Sequence, residues 1–218
     1  MNDRLIDAVD RAKSYVSRLA TEKNDYAENI DTNKIWQLNN SYIVSPVNSG
    51  IVIIDQMLAH QRILYESAIN FLLEPSLSHP SSQTLLFPVE LKLSQGDYSN
   101  LLDVLPFLNK IGFNLKKNEI NVVIVESIPT DMLWGNEAEI ISKISKNFKS
   151  LVKREMSKEM AIALSFSYHA SIKYGDNLND NEMAEIVNRL FGTKEPFICP
   201  NGKPSIIQIP LDEIKSKF

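Results

Sequence analysis

The sequence predicts an α+β fold of mixed α/β layers, and three observations carry that expectation. Short runs with a period of two lie between Ile35 and Ile54. Longer runs with helical period follow at Leu58–Leu72 and from Glu137 onward. Strands and helices alternate before a helical run, the pattern of an α+β or mixed α/β layer fold. With 218 residues and 44% apolar content, there is enough chain to bury a sizeable core without staples.

The elements follow in order. Residues 1 to 33 open with Leu5, Val9, Ala12, Tyr15, Val16 and Leu19 at helical spacing and end in polar sequence from Glu22 to Asn33. Two readings stand side by side: a helix followed by a tether, or an ordinary first helix of the domain. Ile35–Leu38, Tyr42–Val44 and Gly50–Ile54 read as strands, separated by Asn39-Asn40-Ser41 and Asn48-Ser49-Gly50 as turns. After Asp55 the period becomes helical, with Leu58, Tyr65, Ala68, Ile69 and Leu72 on one stripe until Pro75 stops it. A loop from Pro75 to Ser82 precedes a strand at Leu85–Leu93. A helix capped by Ser94 follows, with Leu101, Leu102, Leu105 and Leu108 inward and Gly112 as its stop. Asn121–Ser127 is the next strand. Glu137–Lys153, Lys158–Lys173 and Asn181–Leu190 are helical by period, and Ser205–Leu211 is a closing strand.

Bulk properties exclude several function classes. Lys+Arg at 23 against Asp+Glu at 27 leaves a net charge of −4, which provides no overall field toward phosphate or an anionic membrane. Lys143, Lys146, Lys149, Lys153, Arg154 and Lys158 form a local basic stripe that could touch DNA phosphates but reads more simply as a solvated helix face, so DNA contact is expected to be weak if present. The single cysteine, Cys199, has no internal disulfide partner, and no apolar run is long enough to span a bilayer. A cytoplasmic location and no membrane partner are the expectation. His79 in its Pro-Ser loop reads as solvated, and Trp36 and Trp134 read as packing residues.

Two separated segments carry chemistry. The first runs Asp55-Gln56-Met57-Leu58-Ala59-His60-Gln61-Arg62-Ile63-Leu64-Tyr65-Glu66, at a strand-to-helix turn. The second is Cys199-Pro200-Asn201-Gly202-Lys203-Pro204-Ser205. They resemble, in order and context, the Asp-Gln-His-Ala-x-x-Glu-x-x-x-x-Glu and Cys-Pro-His-Gly-Arg-Pro-Thr motifs of the MutL family of DNA mismatch-repair proteins. A third segment, Ser167-Tyr168-His169-Ala170-Ser171-Ile172-Lys173-Tyr174-Gly175, resembles that family's Ala-Cys-Arg-x-Ala-Ile-Lys-x-Gly helix end. The resemblance covers about Ile35 to Phe218.

The resemblance implies the C-terminal domain of a longer chain whose N-terminal part is an ATPase, to which any ATP and magnesium would belong. It implies a dimerisation subdomain made of residues 34–88 and 160–218, with an external subdomain inserted at 89–159 and residues 1–33 as the tether. It implies a homodimer joined through an apolar sheet face, working with other repair proteins beside the nucleoid. Ile51–Ile54 and Ser205–Leu211 are the candidate interface strands, because both are richer in apolar residues than a half-exposed strand needs.

In that family the motifs hold divalent metal for nicking DNA. A His and a Glu four apart on a helix share a face, so both reach one ion. Here those positions are Met57 and Gln61, a weak thioether and a neutral amide. The helix-end cysteine is replaced by Tyr168 and the later histidine by Asn201, so Cys199 alone persists. The expectation is a domain without catalytic residues, metal or cofactor of its own. Asp55, Gln56 and Glu66 then hold the turn by capping and local hydrogen bonds. The alternative is a divergent metal-dependent nicking endonuclease, with Cys199 joined by Glu66, His60 or Asp55. For His60 and His169 the simpler reading is an exposed or hydrogen-bonded histidine.

Gln83-Thr84-Leu85-Leu86-Phe87-Pro88 resembles the segment with which MutL proteins bind the replication sliding clamp. In that reading the Gln83 amide makes paired hydrogen bonds, Leu86 fills an apolar pocket and Pro88 stiffens the backbone. A plain core strand over Leu85–Val89 explains the same residues equally well.

Overall fold

The computed structural model describes residues 30–74, 80–132, 135–152 and 156–218. The first helix or tether of residues 1 to 29, and the expectations for His79, Trp134, Lys153 and Arg154, lie outside the described residues. The described chain is α+β, with two antiparallel sheets and six helices. It divides into two compact units, one holding the described residues up to Ile63 with Ile172–Phe218, the other Leu64–Ser171. The divisions fall inside a helix after Ile63 and just past a helix end at Ser171, where the buried side chains change from one apolar cluster to the other.

The first unit is built on a four-stranded sheet of order β1-β2-β3-β7: β1 (Trp36–Leu38), β2 (Tyr42–Val47), β3 (Gly50–Asp55) and β7 (Ile206–Pro210). Asn39 and Asn40 both take positive φ (50° and 46°), the tight hairpin geometry that asparagine tolerates and that matches strand twist. Gly50, at φ 150°, is required for another reason. A Cβ there would run into the Ile209 carbonyl oxygen of the neighbouring strand. The register Ile43↔Ile54↔Ile206 puts these three side chains on one face. With Val52 they pack on Ala59 and Ile63 of α1 (Gln56–Leu73) and on Met183, Ile186, Val187 and Leu190 of α5 (Asp180–Phe191). Asn179 caps α5 through Glu182 N–H, and the Glu182 carboxylate returns to the Asn179 N–H, a complete capping box.

The opposite face is also apolar. Trp36, Val44, Ile53 and Ile207 form one cross-strand row, Pro46, Ile51 and Ile209 a second, and Leu38, Tyr42 and Asp55 a third. Trp36 (46% exposed), Leu38 (44%), Ile207 (43%) and Tyr42 (38%) stand in solvent there. Trp36 is therefore not a core packing residue: its register places it opposite the Ile43–Val52 core.

The second unit carries a three-stranded sheet of order β4-β6-β5, made of β4 (Ser82–Lys92), β6 (Val122–Pro129) and β5 (Asn114–Lys117). Strand β5 is absent from the sequence expectation. It is short, lies at an edge, and turns only Leu115 into the core while Lys116 and Lys117 face water, so its period is too brief to read. Helices α2 (Gln95–Lys110), α3 (Glu137–Val152) and α4 (Lys158–Ala170) complete the unit around Leu101, Val104, Leu108, Ile128, Ile141, Ile144 and Ile162. Ser94 caps α2 by accepting from Asp97 N–H, as its sequence position predicts. Helix α4 stops at Ala170 rather than Lys173, because Ser171 turns extended and the following backbone groups find partners outside a helix. The last described element, α6 (Leu211–Lys215), is a short turn of helix after β7.

Candidate functional site

Asp55 ends β3 and starts α1, and both of its carboxylate oxygens are engaged. Oδ1 accepts from Leu58 N–H at 2.9 Å, the hydrogen bond of a helix N-cap. Oδ2 accepts from the Tyr174 hydroxyl at 2.7 Å. Tyr174 also packs on Tyr42, with ring centroids 6.4 Å apart and planes tilted by 39°. Burial of the hydroxyl, then the hydrogen bond to the Asp55 carboxylate, with smaller contributions from Tyr42 and Cys199, hold the Tyr174 phenol well above its ordinary value.

Gln56, fully buried, is the hub of a polar clasp. Its Nε2 donates to the carbonyls of Lys173 (2.8 Å), Asn40 (2.9 Å) and Asp176 (3.2 Å). Its Oε1 accepts from Gln37 Nε2 at 2.7 Å, and Gln37 also reaches Asp176 O and accepts from Leu178 N–H. The two amides thus tie the β1–β2 turn, the start of α1 and the 173–178 loop into one network, satisfying backbone groups that would be costly to bury alone. His60 belongs to the same region. Its Nδ1 accepts from Ile172 N–H at 3.0 Å, which makes it the neutral Nε2–H form.

The second motif is held from α1. Arg62, almost completely buried, donates from Nε to Ile198 O at 2.6 Å and pairs with Glu195 at 3.3 Å. Cys199 is 1% exposed, and a tight turn closes over it through Cys199 N–H to Lys203 O and Gly202 N–H to Cys199 O, both 2.9 Å. Asn201 sits exposed at the tip of that turn. Ser205 leads into β7, and its carbonyl accepts from Asp55 N–H at 2.9 Å. The two motifs, far apart in sequence, therefore meet where β3 and β7 pair.

Of the positions singled out from sequence, Asp55, Gln56, Met57, Gln61, Cys199 and Asn201 lie in the first unit, with Gln61 buried and Met57 partly so. Glu66, on α1, and Tyr168, near the end of α4, belong to the second unit, where Tyr168 is half exposed and packs edge-on against His169. Among the described residues, no three His, Cys, Asp or Glu side chains converge as metal ligands would. Gln37, Arg62 and Tyr174 are site residues that the sequence reading misses. Of these, Arg62 and Tyr174 lie inside recognised segments and Gln37 does not.

The clamp-like segment lies on β4. Pairing with β6 is regular at Ser82–Thr84 and again at Val89–Lys92, and it breaks between them. At this break Leu85 turns into the core, while Leu86 (82% exposed), Phe87 (78%) and Pro88 stand outside. Gln83 is half buried, with its amide 3.5 Å from Met132 O. In the basic stripe, Lys143 pairs with Glu139 at 2.7 Å and Lys146 approaches Asp97 at 3.8 Å, as solvated helix charges do.

Two antiparallel sheets in an α+β chain, with a Gln-centred clasp joining a strand-to-helix turn to a C-terminal Cys-Pro turn, define the class of domain. Residues 35–178 match the family described as the MutL C terminal dimerisation domain, and the chain belongs to that family. Its relatives include the DNA mismatch repair protein MutL of Chlorobium phaeobacteroides (strain BS1), 35% identical over 85% of this chain and 29% of the relative. Those of Prosthecochloris aestuarii and Chlorobaculum tepidum are each 36% identical, with the same shares of each chain covered. The chain therefore spans less than a third of these relatives' length. No helix among the described residues is long and apolar enough to cross a membrane.

Proposed function

We propose that this chain pairs two copies of a mismatch-repair protein through the outer face of its four-stranded sheet, and that it does so without cutting DNA. The observation that carries the pairing is the composition of that face. Nine of its strand positions, Trp36, Leu38, Tyr42, Val44, Pro46, Ile51, Ile53, Ile207 and Ile209, are apolar or aromatic, while the apolar cluster shared with α1 and α5 lies on the opposite side. A contiguous apolar sheet face in water is costly, and a second copy of the same face is the occupant that the family's dimerisation role supplies. Both strands expected from sequence, β3 and β7, lie side by side in it.

The absence of nicking rests on donor chemistry. Met57 and Gln61 offer a thioether and an amide, Tyr168 a phenol and Asn201 an amide where an ion needs imidazole, carboxylate and thiolate. Asp55 spends one carboxylate oxygen on the α1 cap and the other on Tyr174. This set does not fit a divalent ion. The domain takes no cofactor, and an ATPase with its magnesium belongs to the rest of the parent protein.

The exposed Leu86-Phe87-Pro88 bulge supports docking on the replication clamp, since these side chains are free to enter a partner's pocket while Leu85 anchors the strand. Other repair proteins are further partners of the paired domain, beside the nucleoid. The pairing is tested with Ile207→Glu, which places a charge on the β7 side of the face: light scattering is expected to give the mass of one copy for the variant and two for the parent chain. Incubation of supercoiled plasmid with manganese or zinc tests the catalytic part. Nicking that disappears in Cys199→Ala would reinstate the endonuclease reading.

A further inference from the structure

The outer sheet face has one charged side chain among its strand positions, Asp55, and it stands in the same row as Leu38 and Tyr42. If two copies cover this face, that carboxylate loses water. A carboxylate taken out of water is strongly unfavourable unless its oxygens receive hydrogen bonds. One oxygen is served by the Leu58 N–H of α1. The other is served from the 173–178 loop, where the Gln56–Gln37 clasp fixes the carbonyls of Lys173 and Asp176 and so aims Tyr174 at the strand end. The Tyr174 ring lies on Tyr42 and continues the apolar row outward, while its hydroxyl points back onto Asp55. The residue is half exposed, so a second copy would meet its ring rather than a bare charge.

We infer that Tyr174 is a residue of the copy-to-copy interface, covering the Asp55 carboxylate so that the Leu38–Tyr42–Asp55 row can be buried. The inference rests on the pairing proposed above and adds a residue outside the sheet to the surface. It also gives Asp55 a role that requires no metal: the charge caps α1, and the phenol makes that cap compatible with a dry interface. Tyr174→Phe keeps the ring and its packing on Tyr42 but removes the donor, leaving a carboxylate half satisfied in the contact. Asp55→Asn keeps a capping oxygen and removes the charge that needs covering.

Sedimentation equilibrium on the parent chain, Tyr174→Phe, Asp55→Asn and the double variant measures the dimer Kd of each. A hydrogen bond to a charged group is worth enough that Tyr174→Phe is expected to raise Kd about ten-fold or more. In the Asp55→Asn background the same change is expected to fall to within about three-fold, since neighbouring groups that act together are non-additive. Thermal unfolding of Tyr174→Phe in an Ile207→Glu monomer separates interface from fold, and there it is expected to shift little because water replaces the lost donor. A parent dimer whose Kd is unchanged by Tyr174→Phe, or a loss of the same size with and without Asp55→Asn, would overturn the inference and leave the pairing intact. A monomeric parent chain would overturn the pairing and this inference together.

Discussion

At the scale of single residues, Gln56 of the first motif holds the strand-to-helix turn together. Gln56 spends its whole amide on backbone carbonyls and Gln37, so replacing it strands several buried groups at once. Gln56→Leu is expected to lower the unfolding free energy by about 3 kcal/mol, read as a shift in urea midpoint with an unchanged slope. A change near zero would mean that the clasp is not holding the turn. Tyr174 gives a pH prediction. Its phenol is raised in the fold by burial and by Asp55, so it is neutral in folded and unfolded chain alike below the ordinary phenol value of about 10. Above that, the unfolded chain releases the proton first, and the stability from this residue is lost as pH climbs toward the folded value. Urea midpoints taken between about pH 9 and pH 11 should fall less steeply in Tyr174→Phe. Asp55 and Gln56 are legible in the sequence because a strand-to-helix turn needs a cap, and the pattern around it is local. Gln37 and Tyr174 are not, because they meet their partners across separations of 139 and 119 residues. No periodicity encodes such a contact.

At the scale of elements, hydrophobic period locates most strands and helices to within a few residues, and local capping chemistry sets several ends, Ser94 and Asn179 among them. Strand β5 escapes because a four-residue edge strand has one inward side chain. Helix α4 reads three residues too long in the sequence, since its end is set by partners elsewhere in the chain: the Ile172 N–H turns to His60, and the Lys173 carbonyl to Gln56. The β4 bulge is the ambiguous element, equally readable as a core strand or a docking segment. Its exposed side chains make a clean separation possible. Leu86→Ala and Phe87→Ala are each expected to change stability by less than about 0.5 kcal/mol, as exposed residues do, and to weaken clamp binding by about ten-fold or more. Titration of labelled clamp beside urea unfolding checks both. A large loss of stability would show that these side chains support the fold.

At the scale of the whole molecule, one unit holds the apolar sheet face and the clasp, and the other holds the exposed β4 bulge, so the proposed pairing and the proposed clamp docking fall on different cores. The sequence could mark β3 and β7 as apolar on both faces because alternation fails there: Ile51, Ile53, Ile207 and Ile209 are apolar where a water-facing strand would carry polar residues. It could not show that Trp36 and Leu38 of β1 extend the same surface, since facing follows from register, and register is tertiary. The central claim is that this face joins two copies. The most direct measurement is the mass of the chain by light scattering through a dilution series, alongside Ile53→Glu. The expected result is twice the chain mass, dissociating on dilution with a single Kd, and a monomer for the variant. A parent chain of single mass at every concentration, or an Ile53→Glu chain that stays dimeric, would contradict it.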